Sequence, residues 1–251
     1  TILFFATKYV RKIDFKRVKV ENSIAYRNGL ANLKFGLFVL GGSIINNSSM
    51  FFIKSFIGHR LDIGEVGIFQ SVSTITMVYI ALILKAMGND YFPRLCSIAG
   101  NNFTVRRLVN QQTYIAAVIA IPVIVGMFSF SSLVLHVLYT DEFITGTTLM
   151  RWYITGSFFK LLSWPMAFIL LAKGKGIHYF IAETLFFLIY TGFSYFLFPY
   201  FGLNAIGVAY LISYVIYLVI IFAYAIKLCQ FRWSKQNLSV CIAGIIFLGV
   251  A

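Results

Sequence analysis

The sequence has few charged residues. Aspartate, glutamate, lysine and arginine make up 12% of it, where a soluble globular domain has about 25%. Its hydrophobic share is 60%, and a chain of 251 residues that folded in water would need more polar side chains than these to cover its surface. We conclude that lipid forms the exterior and that the chain is an integral membrane protein.

The sequence also lacks the motifs of metal, nucleotide and catalytic sites. Its three cysteines have no paired spacing, and its three histidines stand singly at the ends of apolar stretches. The run Lys173-Gly-Lys-Gly176 does not have the Gly-x-x-x-x-Gly-Lys-Ser/Thr order of a phosphate loop. We therefore expect no metal and no cofactor, and a transporter driven by a gradient or the membrane potential rather than an enzyme.

Long apolar stretches are what the sequence does contain. A helix needs about 20 residues to cross the hydrocarbon core, and these stretches do not show the alternation of apolar and polar residues that barrel strands require. The prediction is an all-α, polytopic transmembrane helix bundle with six full spans, near 35–57, 66–88, 112–135, 149–172, 179–201 and 205–226.

The segments around these spans suggest how a longer protein is organised. Residues 1–9 are predicted to end a preceding transmembrane helix, and 238–251 to start a further one. Basic and apolar residues alternate irregularly through 10–34, which predicts a cytoplasmic amphipathic linker. Residues 35–228 then form the six-helix lobe, and 229–237 form a cytoplasmic loop. Because the sequence has no initiator methionine, we expect it to be part of a longer chain.

Lysine and arginine are distributed very unevenly between the two sides. Of the 21 basic residues, 16 lie in the connections 8–34, 90–111, 173–178 and 227–237, and at most two lie in the opposite set. By the positive-inside rule, the basic loops are predicted to be cytoplasmic. The net charge of +13 is explained by these loops beside anionic lipid, so no nucleic-acid partner is expected.

Polar side chains within the spans are the candidate functional residues. Lys160 stands at the middle of its span, on the same side of the helix as Ser157, and a charge at that depth costs about 2.5 to 3.5 kcal/mol on insertion scales. Either Lys160 lines a polar cavity or it is a structural lysine bonded to a neighbouring helix. In the first case it would attract an anion, such as a phosphate-bearing amphiphile.

Four further residues are weaker candidates. Asn47 and Lys54 share a polar face of the first full span, and Lys85 lies near the cytoplasmic end of the second; both lysines are close enough to a membrane surface to snorkel. Glu183, near the inner end of the fifth span, is a candidate for proton coupling, with an ion pair at the inner rim as the alternative.

Three stretches carry a family resemblance. Asp62-Ile-Gly-Glu-Val-Gly-Ile-Phe-Gln70, Asn89-Asp-Tyr-Phe-Pro-Arg94 and Phe201-Gly-Leu-Asn-Ala-Ile-Gly-Val-Ala-Tyr210 resemble the second half of Wzx-type O-antigen and polysaccharide flippases. These belong to the multidrug/oligosaccharidyl-lipid/polysaccharide exporter superfamily. The resemblance implies one lobe of a MATE-like, two-lobe transporter in the bacterial inner membrane.

The same resemblance implies a cargo and partners. The cargo is an undecaprenyl-diphosphate-linked oligosaccharide, an O-antigen or enterobacterial common antigen repeat unit, moved by alternating access. The implied partners are this lipid-linked substrate, membrane lipids, and the polysaccharide polymerase and chain-length machinery. Two alternatives stay open: a cation-coupled multidrug exporter of the same fold, and a membrane glycan polymerase or glycosyltransferase.

Overall fold

The computed structural model of the protein describes residues 22–250, and every regular element within them is helical. A short 3-10 helix covers Asp141–Gly146. The α-helices are α1 Asn22–Arg60, α2 Ile63–Ser97, α3 Asn102–Ser129, α4 Ser131–Leu138, α5 Thr147–Ala172, α6 Gly176–Phe201, α7 Asn204–Cys229 and α8 Lys235–Val250. The predicted all-α fold class is confirmed.

Six of the helical stretches are long and apolar enough to cross a membrane. They are Gly36–Arg60, Ile63–Ser97, Asn102–Ser129, Asp141–Ala172, Gly176–Phe201 and Asn204–Cys229. The protein is therefore a multi-pass membrane protein, and the six predicted spans are confirmed.

Two predicted boundaries differ from the observed helices. Helix continues through much of the predicted connection 90–111, with only 98–101 between α2 and α3, because a helix keeps its internal hydrogen bonds in the interface as well as in lipid. The predicted span 112–135 is broken at Phe130, where α3 gives way to α4. Hydropathy does not reveal that break, since the apolar residues run on through it.

Local capping explains several of the helix ends. Asp62 accepts a 2.6 Å hydrogen bond from the backbone N–H of Ile63 at the start of α2. Asn101 accepts bonds from Phe103 and Thr104 at the start of α3. Gly202, with φ of +55° and ψ of −134°, ends α6 in a conformation that side-chain-bearing residues rarely adopt.

The chain divides within α1 into two compact units, Thr1–Val39 and Leu40–Ala251. The described part of the first unit, 22–39, is the beginning of α1, and Tyr26, Leu33 and Leu37 are exposed on it. Residues 1–9 and 10–21 lie outside the described residues. The amphipathic linker over 10–34 and the other predicted domain limits therefore stay predictions.

Helix α5 is the centre of the second unit and packs against α7, α2 and α3. Two glycines allow α5 and α7 to approach closely. A Cβ atom on Gly207 would lie 2.7 Å from the Cβ of Trp152, and one on Gly156 would lie 2.5 Å from the ring of Tyr210. Small residues at helix contacts have this role in membrane proteins generally. Helix α6 packs on α7, and α8 packs on α3.

Helix α1 is joined to α6 by side chains. The hydroxyls of Ser49 and Thr191 are 2.7 Å apart and share a hydrogen bond. Further along, the ring of Phe56 lies 4.8 Å from that of Phe198 and 5.4 Å from that of Tyr195. These contacts place the face of α1 that carries Ser49 and Phe56 against α6, on the side opposite Asn47 and Lys54.

The Asn89-Asp-Tyr-Phe-Pro-Arg94 stretch has a packing role. The buried Tyr91 hydroxyl donates a 2.7 Å hydrogen bond to the carbonyl of Pro165 on α5, and the ring of Phe92 lies 5.4 Å from that of Phe168. Arg94 pairs with Asp90 at 2.9 Å on the surface. This stretch fixes the end of α2 against α5.

Candidate substrate site within the helical bundle

Lys160 lies half-buried at the middle of α5, on the side that faces α7. Its ammonium nitrogen is 5.7 Å from the centre of the Tyr214 ring, a distance at which the ring face attracts a cation. Among the described residues, ion pairs join only Arg94 to Asp90 and His136 to Asp141, so Lys160 has no acid at ion-pair distance.

Glu183 faces the same region from α6. Its carboxylate accepts a 2.5 Å hydrogen bond from the hydroxyl of Tyr217 on α7, and Tyr179, one turn earlier on α6, also interacts with it. Lys160 is close enough for its charge to act on this carboxylate. The structure therefore brings Lys160 and Glu183 into one polar group between α5, α6 and α7.

Five tyrosines extend this group along the bundle. We name Tyr153, Tyr190, Tyr210, Tyr214 and Tyr217 the tyrosine cluster. The hydroxyls of Tyr153 and Tyr190 are 2.5 Å apart and share a hydrogen bond, and both side chains are 0% exposed. The ring of Tyr210 lies between those of Tyr153, at 4.5 Å between ring centres, and Tyr214, at 4.7 Å and nearly edge to face.

Two serines add polar atoms to the interior. Ser157 on α5 and Ser194 on α6 are buried, and within the described part of the chain their hydroxyl oxygens have no hydrogen-bond partner. Ser157 is one turn from Tyr153, and Ser194 is one turn from Tyr190. Buried polar atoms without partners are uncommon in folded proteins.

The remaining candidates lie elsewhere. Asn47 is exposed on α1, Lys54 is half-buried on the same helix, and Lys85 is exposed on α2. Within residues 22–250, no hydrogen bond or ion pair joins any of them to Lys160 or Glu183. Groups of three or more histidine, cysteine, aspartate or glutamate side chains that could hold a metal ion were not found in residues 22–250.

Sequence reasoning missed most of the tyrosine cluster, although a signal was present. Tyr210, Tyr214 and Tyr217 follow the i, i+4, i+7 spacing that places residues on one face of a helix. Tyr153 and Tyr190 share faces with Lys160 and Glu183 respectively. The spacing shows each face by itself, and only the packed structure shows that the three faces meet.

The fold and this polar group define a polytopic α-helical membrane protein with charged side chains inside its bundle. A family model described as "Polysaccharide biosynthesis protein" matches residues 13–146, more than half of the 251 residues. The chain belongs to this polysaccharide biosynthesis protein family.

Two curated relatives are similar to the chain. The Lipid III flippases of Escherichia coli (strain K12) and Shigella flexneri are each 23% identical to it over 195 residues, which cover 77% of this chain and 47% of the relative. The chain thus spans about half the length of the relatives that it matches.

A solved structure, Lipid II flippase MurJ in an inward closed conformation, has a similar fold. It superposes with a TM-score of 0.69 at 16% sequence identity, covering 94% of this chain and 50% of that chain. Together with the family match, this likeness confirms the predicted resemblance to the exporter superfamily and the fold of one lobe of such a transporter.

Proposed function

We propose that the chain is one lobe of a flippase that moves a lipid-linked oligosaccharide across the bacterial inner membrane by alternating access. The proposed cargo is an undecaprenyl-diphosphate-linked repeat unit of O-antigen or enterobacterial common antigen. The proposal rests mainly on the position of Lys160, a mid-span cation that has no acid at ion-pair distance in the described structure. A curated relative and a solved structure of similar fold are both named flippases, which supports the proposal.

The electrostatics of the polar group favour an anionic ligand. A lone ammonium within the membrane is unfavourable by about 2.5 to 3.5 kcal/mol, and the Tyr214 ring offsets only part of this. Glu183 is near, but its carboxylate is bonded to Tyr217. Lys160 therefore keeps N–H donors for a diphosphate. The hydroxyl of Ser157 lies on α5 with Lys160, and that of Ser194 lies on α6 with Glu183.

We propose that the other candidate residues line the path of the substrate through the protein rather than its central binding site. Asn47, Lys54 and Lys85 lie on α1 and α2, and each is exposed or half-buried in this lobe. We propose that in the two-lobe transporter these three side chains face the space between the lobes. Glu183 is the proposed coupling residue, because its bond to Tyr217 crosses from α6 to α7.

The test is glycan export by the full-length protein in cells lacking the native flippase. We expect Lys160→Met, which keeps the length of the side chain but removes its charge, to reduce surface glycan by roughly tenfold or more, and Lys160→Arg to retain part of it. Arg107→Gln, an exposed residue of α3, is the matched control for charge loss. Undiminished export by Lys160→Met at equal expression would remove Lys160 from the mechanism.

The same cells distinguish the flippase from the alternative function, a cation-coupled multidrug exporter. A cation-coupled multidrug exporter would confer drug resistance that depends on Glu183, with glycan export unaffected. Resistance without export would therefore replace the flippase proposal. A lipid-linked cargo predicts the reverse, namely accumulation of the lipid-linked glycan inside cells that carry Lys160→Met.

We also propose that the basic loops face the cytoplasm. Ser97 lies at the end of α2 among these loops, and Thr140 lies at the opposite end, before the 3-10 helix; both are exposed. In a variant without native cysteines, Thr140→Cys should react with a membrane-impermeant maleimide in spheroplasts. Ser97→Cys should react only after the membrane is opened. The reverse pattern would invert the assignment.

A further inference from the structure

A second basic site lies away from Lys160, where α6 begins and α7 ends. It is a recess of about 200 Å³, lined by Lys175, His178, Tyr224, Lys227 and Leu228, which we name the basic recess. Lys175 immediately precedes α6, and Lys227 is in the last turn of α7. Two helices therefore bring three nitrogen-bearing side chains around one concave surface.

The charge of the basic recess is not neutralised by the described part of the protein. None of its lining residues is acidic, and the ion pairs found in the described structure lie elsewhere, at Arg94 and His136. The lysine ammonium groups are exposed and offer three donors each. The two lysines therefore give the recess a net positive charge.

Aromatic packing orders one of the donors. The ring of His178 meets the ring of Tyr224 edge to face, with centres 5.6 Å apart and planes at 82°. This contact restricts the rotation of the imidazole, which has an N–H donor whether it is neutral or protonated. A donor held in place before binding loses less entropy when it bonds a ligand.

The surface beside the basic recess is apolar. Ile177 and Ile181 on α6 are 57% and 51% exposed, and Ile226 on α7 is 46% exposed. Ile177 and Ile226 are sequence neighbours of His178 and Lys227, and Ile181 is one turn deeper than His178 into a membrane span. A ligand held here has its anionic group at the recess and hydrocarbon beside the isoleucines.

We propose that the basic recess binds the phosphate of a membrane lipid, with the lipid tail lying along Ile177, Ile181 and Ile226. The ligand class is a phosphate ester carried on a long apolar chain. This chemistry is shared by an anionic phospholipid and by a polyprenyl phosphate. The site goes beyond the proposed translocation function, because it lies at the membrane surface and uses none of the residues around Lys160.

The first experiment compares probes on the full-length protein, without any mutation. Purified protein in a non-ionic detergent is mixed with phosphatidylglycerol, with diacylglycerol of the same acyl chains, or with inorganic phosphate, and bound lipid is counted by native mass spectrometry. We expect phosphatidylglycerol to bind and diacylglycerol not to bind at the same concentration. Equal binding of both lipids, or displacement of phosphatidylglycerol by millimolar phosphate, would overturn the proposal.

The second experiment tests whether the lipid binds at the basic recess. Lys175→Gln combined with Lys227→Gln should weaken phosphatidylglycerol binding by roughly tenfold or more. The control, Arg107→Gln combined with Lys235→Gln, removes the same charge from exposed positions outside the recess and should bind like the unmodified protein. Equal weakening by both pairs would show a general charge effect and would reject the basic recess as the site.

A third arm identifies the source of the phosphate. Undecaprenyl phosphate competes with phosphatidylglycerol in the same measurement. Preference for the polyprenyl lipid assigns the recess to the lipid that carries the cargo, and preference for phosphatidylglycerol assigns it to the surrounding membrane. Either result supports phosphate binding, and both are independent of export by Lys160 variants.

Discussion

The hydroxyl of Tyr217 on α7 donates a 2.5 Å hydrogen bond to the carboxylate of Glu183 on α6. This bond joins α6 to α7 inside the bundle, in addition to ring contacts such as that of Tyr190 with Tyr210. Tyr217 is itself 5% exposed, so this bond is shielded from water on the tyrosine side. It is the most direct structural link between the candidate coupling residue and a neighbouring span.

We predict that Tyr217→Phe destabilises the protein by about 1 to 3 kcal/mol, because the Glu183 carboxylate loses one of its hydrogen-bond donors. Chemical unfolding in mixed detergent micelles measures this change. In the background of Glu183→Met, which removes the acceptor, Tyr217→Phe should cost clearly less because there is no longer a hydrogen bond to lose. Additive effects of the two substitutions would show that the bond contributes nothing to stability.

Close packing of α5 on α7 gives a second prediction. Gly207→Ala places a methyl group 2.7 Å from the Cβ of Trp152 and 3.1 Å from the carbonyl oxygen of Leu149, so the helices must separate. We expect a loss of about 1 to 3 kcal/mol of unfolding free energy. The control is Gly192→Ala in α6, where nothing lies within 4 Å and helix propensity favours alanine. Equal effects at both glycines would contradict the packing argument.

The connection between α7 and α8 depends on Asn110 of α3. Its side-chain oxygen accepts bonds from the backbone N–H of Ser234 at 2.8 Å and from the side chain of Asn237 at 2.9 Å, and its nitrogen donates to the carbonyl of Arg232 at 3.0 Å. Asn110→Ala removes all three bonds at once. We predict amide hydrogen exchange over 231–237 that is faster by roughly tenfold or more.

The adjacent residue supplies the control for this measurement. Gln111 is exposed on the same helix, and Gln111→Ala should leave exchange over 231–237 unchanged. If Asn110→Ala exchanged no faster than Gln111→Ala, the connection would be held by other contacts, such as the packing of α8 on α3.

Tyr91 tests the role of the Tyr-Phe-Pro-Arg stretch. Tyr91→Phe keeps the ring but removes the donor to the Pro165 carbonyl, so we predict a loss of about 1 kcal/mol in thermal or chemical unfolding. Tyr114→Phe, on the exposed surface of α3, should change stability much less. A stable protein with impaired export after Tyr91→Phe would point instead to a part in the transport cycle.

The amino-acid sequence by itself determined the membrane class, the six spans and the family resemblance. These follow from composition and from runs of apolar residues, because lipid requires each span to be apolar and to satisfy its own backbone hydrogen bonds. The break at Phe130 was not predicted, because a run of apolar residues has the same hydropathy whether or not a turn interrupts the helix.

Only the tertiary structure decided which polar residues meet. Helical periodicity places Lys160 on one face of α5 and Glu183 on one face of α6, but it carries no information on how the helices are rotated against each other. Close approach at Gly156 and Gly207, which depends on side chains far apart in sequence, sets that rotation for α5 and α7, and the packing of α6 on α7 adds Glu183. The packed helices bring Lys160, Glu183 and the tyrosine cluster together and leave Asn47 and Lys85 on exposed surfaces of this lobe.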